Sequence, residues 1–274
     1  MKKNNAVLLS TPYILWMVVF TLIPLGVVAY YALTDPATGV FSLGNLWELG
    51  HYWGVLWESI LYSLVSALIC LLLGYPVAYY IAHCKATTQK ILYMLVMLPM
   101  CMSFLLRTLA WVGLLQDTGI INDLLEAVGI GRRQLIRTPG AVILGMVYNY
   151  LPYMILPLYA TIVKINPRLI EAAEDLGCNS IQVFRRVVLP LSVPGILSGI
   201  TMVFVPAVST FYISQKLGGT DTMLIGDVIE RQFKSAQNPN LGAALSLVLM
   251  ILVFVCTGIM NKITGSDGED VVVA

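Results

Sequence analysis

Six apolar stretches, each long enough to cross a bilayer, dominate this 274-residue chain and leave it few folds to choose from. They run over about 12–33, 58–82, 90–112, 140–163, 195–215 and 241–261. A helix needs roughly 20 mostly apolar residues to cross a ~30 Å hydrocarbon layer, and in lipid only helices and closed barrels satisfy every backbone polar group. Charged residues make up 11% of the chain, against about 25% in soluble domains. The expectation is an all-α membrane protein of six transmembrane helices. It reads as one domain over residues 1–274 with no separate soluble part.

Several function classes fall away at once. A net charge of +1 carries no nucleic-acid footprint. Cys70, Cys84, Cys101, Cys178 and Cys256 form no CxxC pair, and three of them fall in spans, which argues against a disulfide framework or a metal site. His51 and His83 are far apart, no nucleophile triad is spaced for catalysis, and no GxxxxGK[ST] loop is present. The chain reads as a non-enzyme, and any ATP chemistry belongs to another chain. The opening MKKNNAVLLSTPYILW runs into an apolar stretch longer than a signal-peptide core with no A-x-A site after it, so it reads as an uncleaved first span.

Six spans put both termini on one side. With the N-terminus inside, nine of the sixteen Lys and Arg lie on inner segments, six on outer loops, and Arg107 within a span. The excess predicts cytoplasmic termini, with residues 83–90 and 164–194 also inside, although GRRQLIR at 131–137 runs against it. Trp47, Trp53 and Trp57 read as interface anchors, and Ile120 to Val128 as a short amphipathic helix ended by Gly129.

The longest polar interruption is NPRLIEAAEDLGCNSIQVFRRVVLPLSVPG, residues 166–195. Asn166 is a good N-cap and Pro167 suits the first helical position. Leu169, Ala172, Ala173 and Leu176 fall on one stripe at i, i+3, i+4, i+7. Gly177 ends the helix where a left-handed residue is wanted. Asn179 and Gln182 have capping-box spacing, Ile181, Phe184 and Val188 give a second helix its apolar side, and Pro190 stops it. Two such short helices are marginal alone. The local chemistry leaves two readings open: a loop packed on its own bundle, or a docking element inserted into a partner.

The segment resembles the EAA loop of permease subunits of ATP-binding-cassette importers. The family pattern is E-A-A, three residues, G, nine residues, I-x-L-P. Here Glu171, Ala172 and Ala173 precede Gly177, and Val187-Val188-Leu189-Pro190 follows, with valine for the usual isoleucine. Less specific stretches are SFLLRTLAWVGLL (103–115), YNYLPYMILPLYATI (148–162) and LGGTDTMLIGDVIERQF (217–233). They are most similar to the first of the two permeases in spermidine/putrescine-type systems. This likeness implies a MetI-like, type I importer permease in a bacterial inner membrane. The loop at about 164–194, with Glu171, Ala172, Ala173, Asp175, Gly177, Leu189 and Pro190, would couple to a separate ATPase. It further implies a second homologous permease, two copies of the ATPase carrying the ATP and Mg, and an extracytoplasmic substrate-binding protein. No cofactor is expected on this chain beyond surrounding lipid.

Candidate path residues come from spans four and five: Tyr148, Tyr150, Tyr153, Phe211, Tyr212 and Gln215. Pro152 and Pro157 free the carbonyls of Tyr148 and Tyr153, and aromatic faces attract ammonium groups by about 0.5–2 kcal/mol each. Arg107 reads as a residue near the outer interface that orders a loop or gate if it acts at all, because a cation repels a cationic cargo. Asp117, Asp123, Asp221, Asp227 and Glu230 read mainly as solvated outer carboxylates. Two rival readings are the same machine with another cargo, such as ferric iron or an organic anion, and a self-contained secondary transporter, for which no paired broken helices are evident. A third is a membrane anchor that docks a cytoplasmic partner without solute flux.

Overall fold

The computed structural model describes residues 12–35, 39–42, 44–219, 222–236 and 238–264, and among them every element but one isolated bridge, Thr34 to Phe41, is helical. In chain order the helices are α1 (Pro12–Ala32), α2 (Gly44–Glu48), α3 (Trp53–Ala82), α4 (Ala86–Met97), α5 (Phe104–Leu115) and α6 (Ile120–Ala127). There follow α7 (Pro139–Ile162), α8 (Pro167–Asp175), α9 (Ser180–Leu191), α10 (Val193–Val208), α11 (Tyr212–Leu217), α12 (Ile225–Lys234) and α13 (Pro239–Thr264). They group into two compact units, Met1–Gly54 with Val228–Leu252, and Val55–Asp227 with Val253–Ala274.

Among the described residues five helical stretches are long and apolar enough to cross a membrane, and a sixth results when α9 and α10, bent by 63°, count as one. Two expected spans differ in detail. The third, 90–112, is divided: α4 passes into a tight turn at Leu98–Cys101, and α5 starts at Phe104. Pro99 lacks the N–H a continuing helix needs, and Met102 and Ser103 are extended. The fifth, 195–215, breaks at 209–211 between α10 and α11. There Ser209 Oγ donates back to the carbonyls of Val205 (3.2 Å) and Pro206 (3.4 Å), a side-chain bond that competes with helix continuation.

In the smaller unit, two buried asparagines tie down the end of α1. Asn45 Nδ2 donates to Thr34 O at 2.8 Å and Asn240 Nδ2 to the same oxygen at 2.7 Å. Ala32, Ala243 and Ala244 pack beside them. Within α1 a π turn, Val18–Leu22, precedes Pro24; a second, Phe184–Val188 in α9, precedes Pro190. In both, the wider turn lies just ahead of a residue with no N–H to give.

The larger unit is built around α7, whose Met146, Met154 and Leu158 have no exposed surface. Lipid tails are as apolar as leucine, so close backbone approach and polar contacts must hold the helices together. On α3 the buried face includes a row of small residues: Ser59, Ser63, Ser66, Cys70, Gly74 and Ala78. Ser66 Oγ donates to Met146 Sδ at 3.4 Å, and Gly74 lies against Met154 and Ile155 of α7. On α10, Gly195 and Gly199 form a GxxxG step. A Cβ on Gly195 would meet Thr161 Oγ1 at 2.6 Å, and one on Gly199 would meet Met154 Sδ at 2.6 Å. Only glycine lets α10 lie this close to α7.

Candidate functional site

Helix α8 closes as its sequence directs. Asn166 Oδ1 accepts from the N–H of Arg168 at 3.1 Å, with Pro167 at the first helical position. At the other end Gly177 takes φ +83°, the N–H of Cys178 reaches Ala173 O at 3.1 Å, and that of Gly177 reaches Glu174 O at 2.8 Å. This pair of bonds is a Schellman cap. Asn179 and Gln182 then exchange two 2.9 Å bonds in a complete capping box.

The two helices are anchored unequally. In α9, Val183 and Val188 are buried, and Phe184 meets the edges of Tyr75 and Tyr79 at 5.5 and 5.8 Å. The expected apolar side of α9 is thus turned slightly: Val183 takes the inner place and Ile181 is 71% exposed. Helix α8 has no buried residue. Of the expected coupling residues, Glu171, Ala172, Asp175, Gly177, Leu189 and Pro190 are exposed and Ala173 is half-buried. Leu169 and Leu176 on the apolar stripe also face outward, Leu176 at 86%. Behind this free face lies the bend at Ser192, which has no exposed surface. Its Oγ donates to Leu189 O at 2.9 Å and so accepts from the Tyr75 hydroxyl at 2.7 Å. A polar latch thus fixes the joint through which α9 leads into α10.

The candidate path residues divide into exposed and packed sets. Tyr148, Tyr153, Phe211 and Gln215 are exposed, Tyr212 is half-buried, and Tyr150 is buried. Tyr148 stands edge-on to Trp111 of α5 (5.4 Å), Tyr150 and Tyr153 are 6.3 Å apart, and Tyr212 lies 6.2 Å from Phe104. Tyr150 donates to Pro206 O at 3.3 Å, which binds α7 to the turn of chain just ahead of the break in span five. Arg107 is 6% exposed and close enough to Tyr150 to act on it electrostatically. Its Nε and Nη1 are buried with no hydrogen-bond partner, and Asn149 Oδ1 on α7 is in the same condition.

A buried polar junction at this break escaped the sequence reading. Leu224 and Ile225 have no exposed surface, and the N–H of Ile225 donates to Ser59 Oγ of α3 at 2.7 Å. Asp227, expected in solvent, is 5% exposed, and its Oδ2 accepts from the N–H of Leu224 at 2.8 Å as the returning arm of a cap on α12. Gly226 abuts the carbonyls of Ser209 and Thr210; a Cβ there would lie 2.5 Å from Thr210 O. The signals were a polar-apolar-glycine run and a serine row on α3, neither of which names its partner. Asp221 lies outside the described residues.

At the opposite end of α7 from α8 is a cavity of about 340 Å³, lined by Gln116, Asp117, Gln134, Arg137, Gln215 and Lys216 among others. Gln215 of the expected path opens into it. Lys216 Nζ sits 5.8 Å from the centre of the Tyr212 ring. The helix α6 beside it is fastened by exposed ion pairs of Arg132 with Asp123 (3.1 Å) and Glu126 (2.8 Å).

Comparison with known proteins agrees with this architecture. Residues 71–264 match the family described as "Binding-protein-dependent transport system inner membrane component". The spermidine/putrescine transport system permease protein PotB of Haemophilus influenzae is 39% identical over 246 residues, which cover 86% of each chain. PotB of Escherichia coli is 37% identical over 86% of this chain and 90% of its own. In fold, a chain of a bacterial ABC transporter involved in import of the acidic polysaccharide alginate superposes with a TM-score of 0.77 at 20% identity, covering 97% of this chain and 98% of that one. With its helices, its glycine-closed polar segment and this match over most of its length, the chain belongs to the family of binding-protein-dependent transport system inner membrane components.

Proposed function

We propose that this chain is one of two homologous permease subunits of an ATP-driven importer of linear polyamines, spermidine and putrescine, in a bacterial inner membrane. The observation that carries the cargo is the 39% identity to a spermidine/putrescine permease across 86% of both chains. In this reading residues 1–274 form one permease domain with both termini cytoplasmic. The free face of α8, with Glu171, Ala172 and Asp175, enters a cleft in a separate ATPase, which holds the ATP and Mg. Motion of that face passes through α9 and the Tyr75–Ser192 latch into α10 and so to the break in span five. Cargo itself shifts the access equilibrium only by its different affinity for the two states.

The exposed rings of Tyr148, Tyr153 and Phe211 and the half-buried Tyr212 offer a series of faces to ammonium groups joined by methylenes. No single deep carboxylate pocket is needed: it would hold a multivalent cation too firmly for release. The test is uptake of radiolabelled spermidine and putrescine by proteoliposomes containing this chain, the second permease, the ATPase and the binding protein. ATP-dependent uptake that excess unlabelled polyamine abolishes, and that ferric iron or organic anions leave intact, is expected. Uptake of iron or an anion with none of polyamine would sink the cargo assignment and leave the importer reading standing.

A further inference from the structure

We propose that the cavity at the N-terminal end of α7 receives an acidic side chain of the soluble binding protein that delivers the cargo. The proposal rests on the preceding reading for its orientation, which puts this end outside, and for its partner. The cavity's own chemistry selects the occupant. Two cations, Arg137 and Lys216, and one carboxylate, Asp117, line it, and no ion pair joins any of them to another charged group among the described residues. A polycation meets net repulsion there, and a carboxylate meets net attraction. At about 340 Å³ the space takes a side chain or two with water, since a water molecule occupies about 30 Å³.

Arg137 carries the second observation. Its φ is +61°, the one positive value at a residue other than glycine among the described residues. An L-residue pays about 1–2 kcal/mol for that conformation, and asparagine or glycine relieves it. The same loop does use glycine at its two other left-handed positions, Gly129 and Gly131. The backbone of Arg137 is held there by its N–H on Leu217 O at 2.8 Å, and its carbonyl lies where a Cβ on Gly219 would come within 3.0 Å. An arginine kept against local strain, at a cavity rim and without an acidic partner among the described residues, presents a planar fork suited to a carboxylate. Among the described residues Lys216 has the face of Tyr212 beside it, an exposed cation–π contact of about 0.5–1 kcal/mol that an incoming carboxylate can outbid.

The experiment uses the complete importer in lipid nanodiscs, titrated with the purified binding protein that supports its uptake, and reads the concentration giving half-maximal stimulation of ATP hydrolysis. Arg137→Asn keeps the left-handed backbone accessible while removing the charge. It and Lys216→Gln are each expected to raise half-saturation about tenfold with the unstimulated rate unchanged, a size usual for one charged contact. Asp117→Asn is expected to lower half-saturation, and added salt to weaken wild type more than Arg137→Asn. This opposition of signs is one that general damage to the fold does not produce. Half-saturation unmoved in Arg137→Asn overturns the proposal. So does a weakening by Asp117→Asn, which marks the cavity as a cation site. If the binding protein stimulates wild type not at all, the importer reading fails and takes this one with it; stimulation that ignores all three variants removes the cavity alone.

Discussion

At the scale of single residues, the larger unit holds charges and backbone oxygens in places where small changes have definite signs. Arg107 is a buried guanidinium with two unpartnered nitrogens. Replacing a buried ion by an apolar side chain of similar volume is neutral or stabilising, by up to about 4 kcal/mol, whereas keeping it unpaired is unfavourable. Arg107→Met is therefore expected to leave the melting temperature of the purified complex unchanged or higher and to slow polyamine uptake. Uptake at the wild-type rate assigns Arg107 to packing alone. Gly226 gives the opposite case. An alanine Cβ there meets the backbone oxygens of Thr210 at 2.5 Å and Ser209 at 2.9 Å, which no rotamer change can relieve. Gly226→Ala should cost about 1–3 kcal/mol, seen as earlier thermal loss of folded complex. In Gly145→Ala the new methyl meets side-chain ends of Leu217 and Ile213, and the loss should be smaller.

At the scale of elements, the α8–α9 segment separates what a sequence can show from what it cannot. Asn166, Pro167, Gly177 and the Asn179–Gln182 pair act on backbone groups within a few residues, so their roles are legible in order along the chain. The 63° bend at Ser192 is not legible, because its latch is a hydroxyl on Tyr75, 117 residues away. Nor is the burial of the 224–227 turn, whose amide partner Ser59 lies 166 residues earlier. The division of the third span at Pro99 could have been read, and was hidden by an apolar run that continues through it. For the path, the residue types in spans four and five were visible; which rings are exposed depends on packing between α5, α7 and α10. Gly177 shows how local and partner effects can be told apart. Nothing lies within 4 Å of a Cβ built there, so the chain itself imposes only the left-handed backbone. Gly177→Asn, which tolerates that conformation, is expected to keep ATP-coupled uptake near wild type. Gly177→Leu combines backbone strain with bulk on the exposed face proposed to dock, and should lower uptake at least tenfold while the complex still assembles around this chain. Equal uptake in both variants would remove Gly177 from the coupling contact.

At the scale of the whole molecule, the sidedness of the chain is the step on which every proposed partner depends. Among the described residues five helical stretches are long and apolar enough to cross, and the bent α9–α10 pair makes a sixth if it counts as one span. With an even number both termini would share a side, and the Lys and Arg excess on the termini and on residues 83–90 and 164–194 predicts that this side is the cytoplasm, as proposed above. Loop 116–138 carries Arg132, Arg133 and Arg137 against this trend, but Arg132 is neutralised locally by Asp123 and Glu126. One comparison tests both whether α7 crosses and in which direction. Between positions 130 and 180 lies a single crossing, α7, 24 residues long and therefore about 36 Å at 1.5 Å per residue. In a version with Cys70, Cys84, Cys101, Cys178 and Cys256 replaced, Ile130→Cys and Ser180→Cys each place one thiol at an exposed position. A membrane-impermeant maleimide added to intact cells is expected to label position 130 and not 180, and inverted vesicles should reverse the result. Labelling of both from one side would deny that α7 crosses. Labelling of 180 alone from outside would turn the molecule over, taking the α8 face away from any cytoplasmic ATPase and the Arg137 cavity away from any extracytoplasmic binding protein.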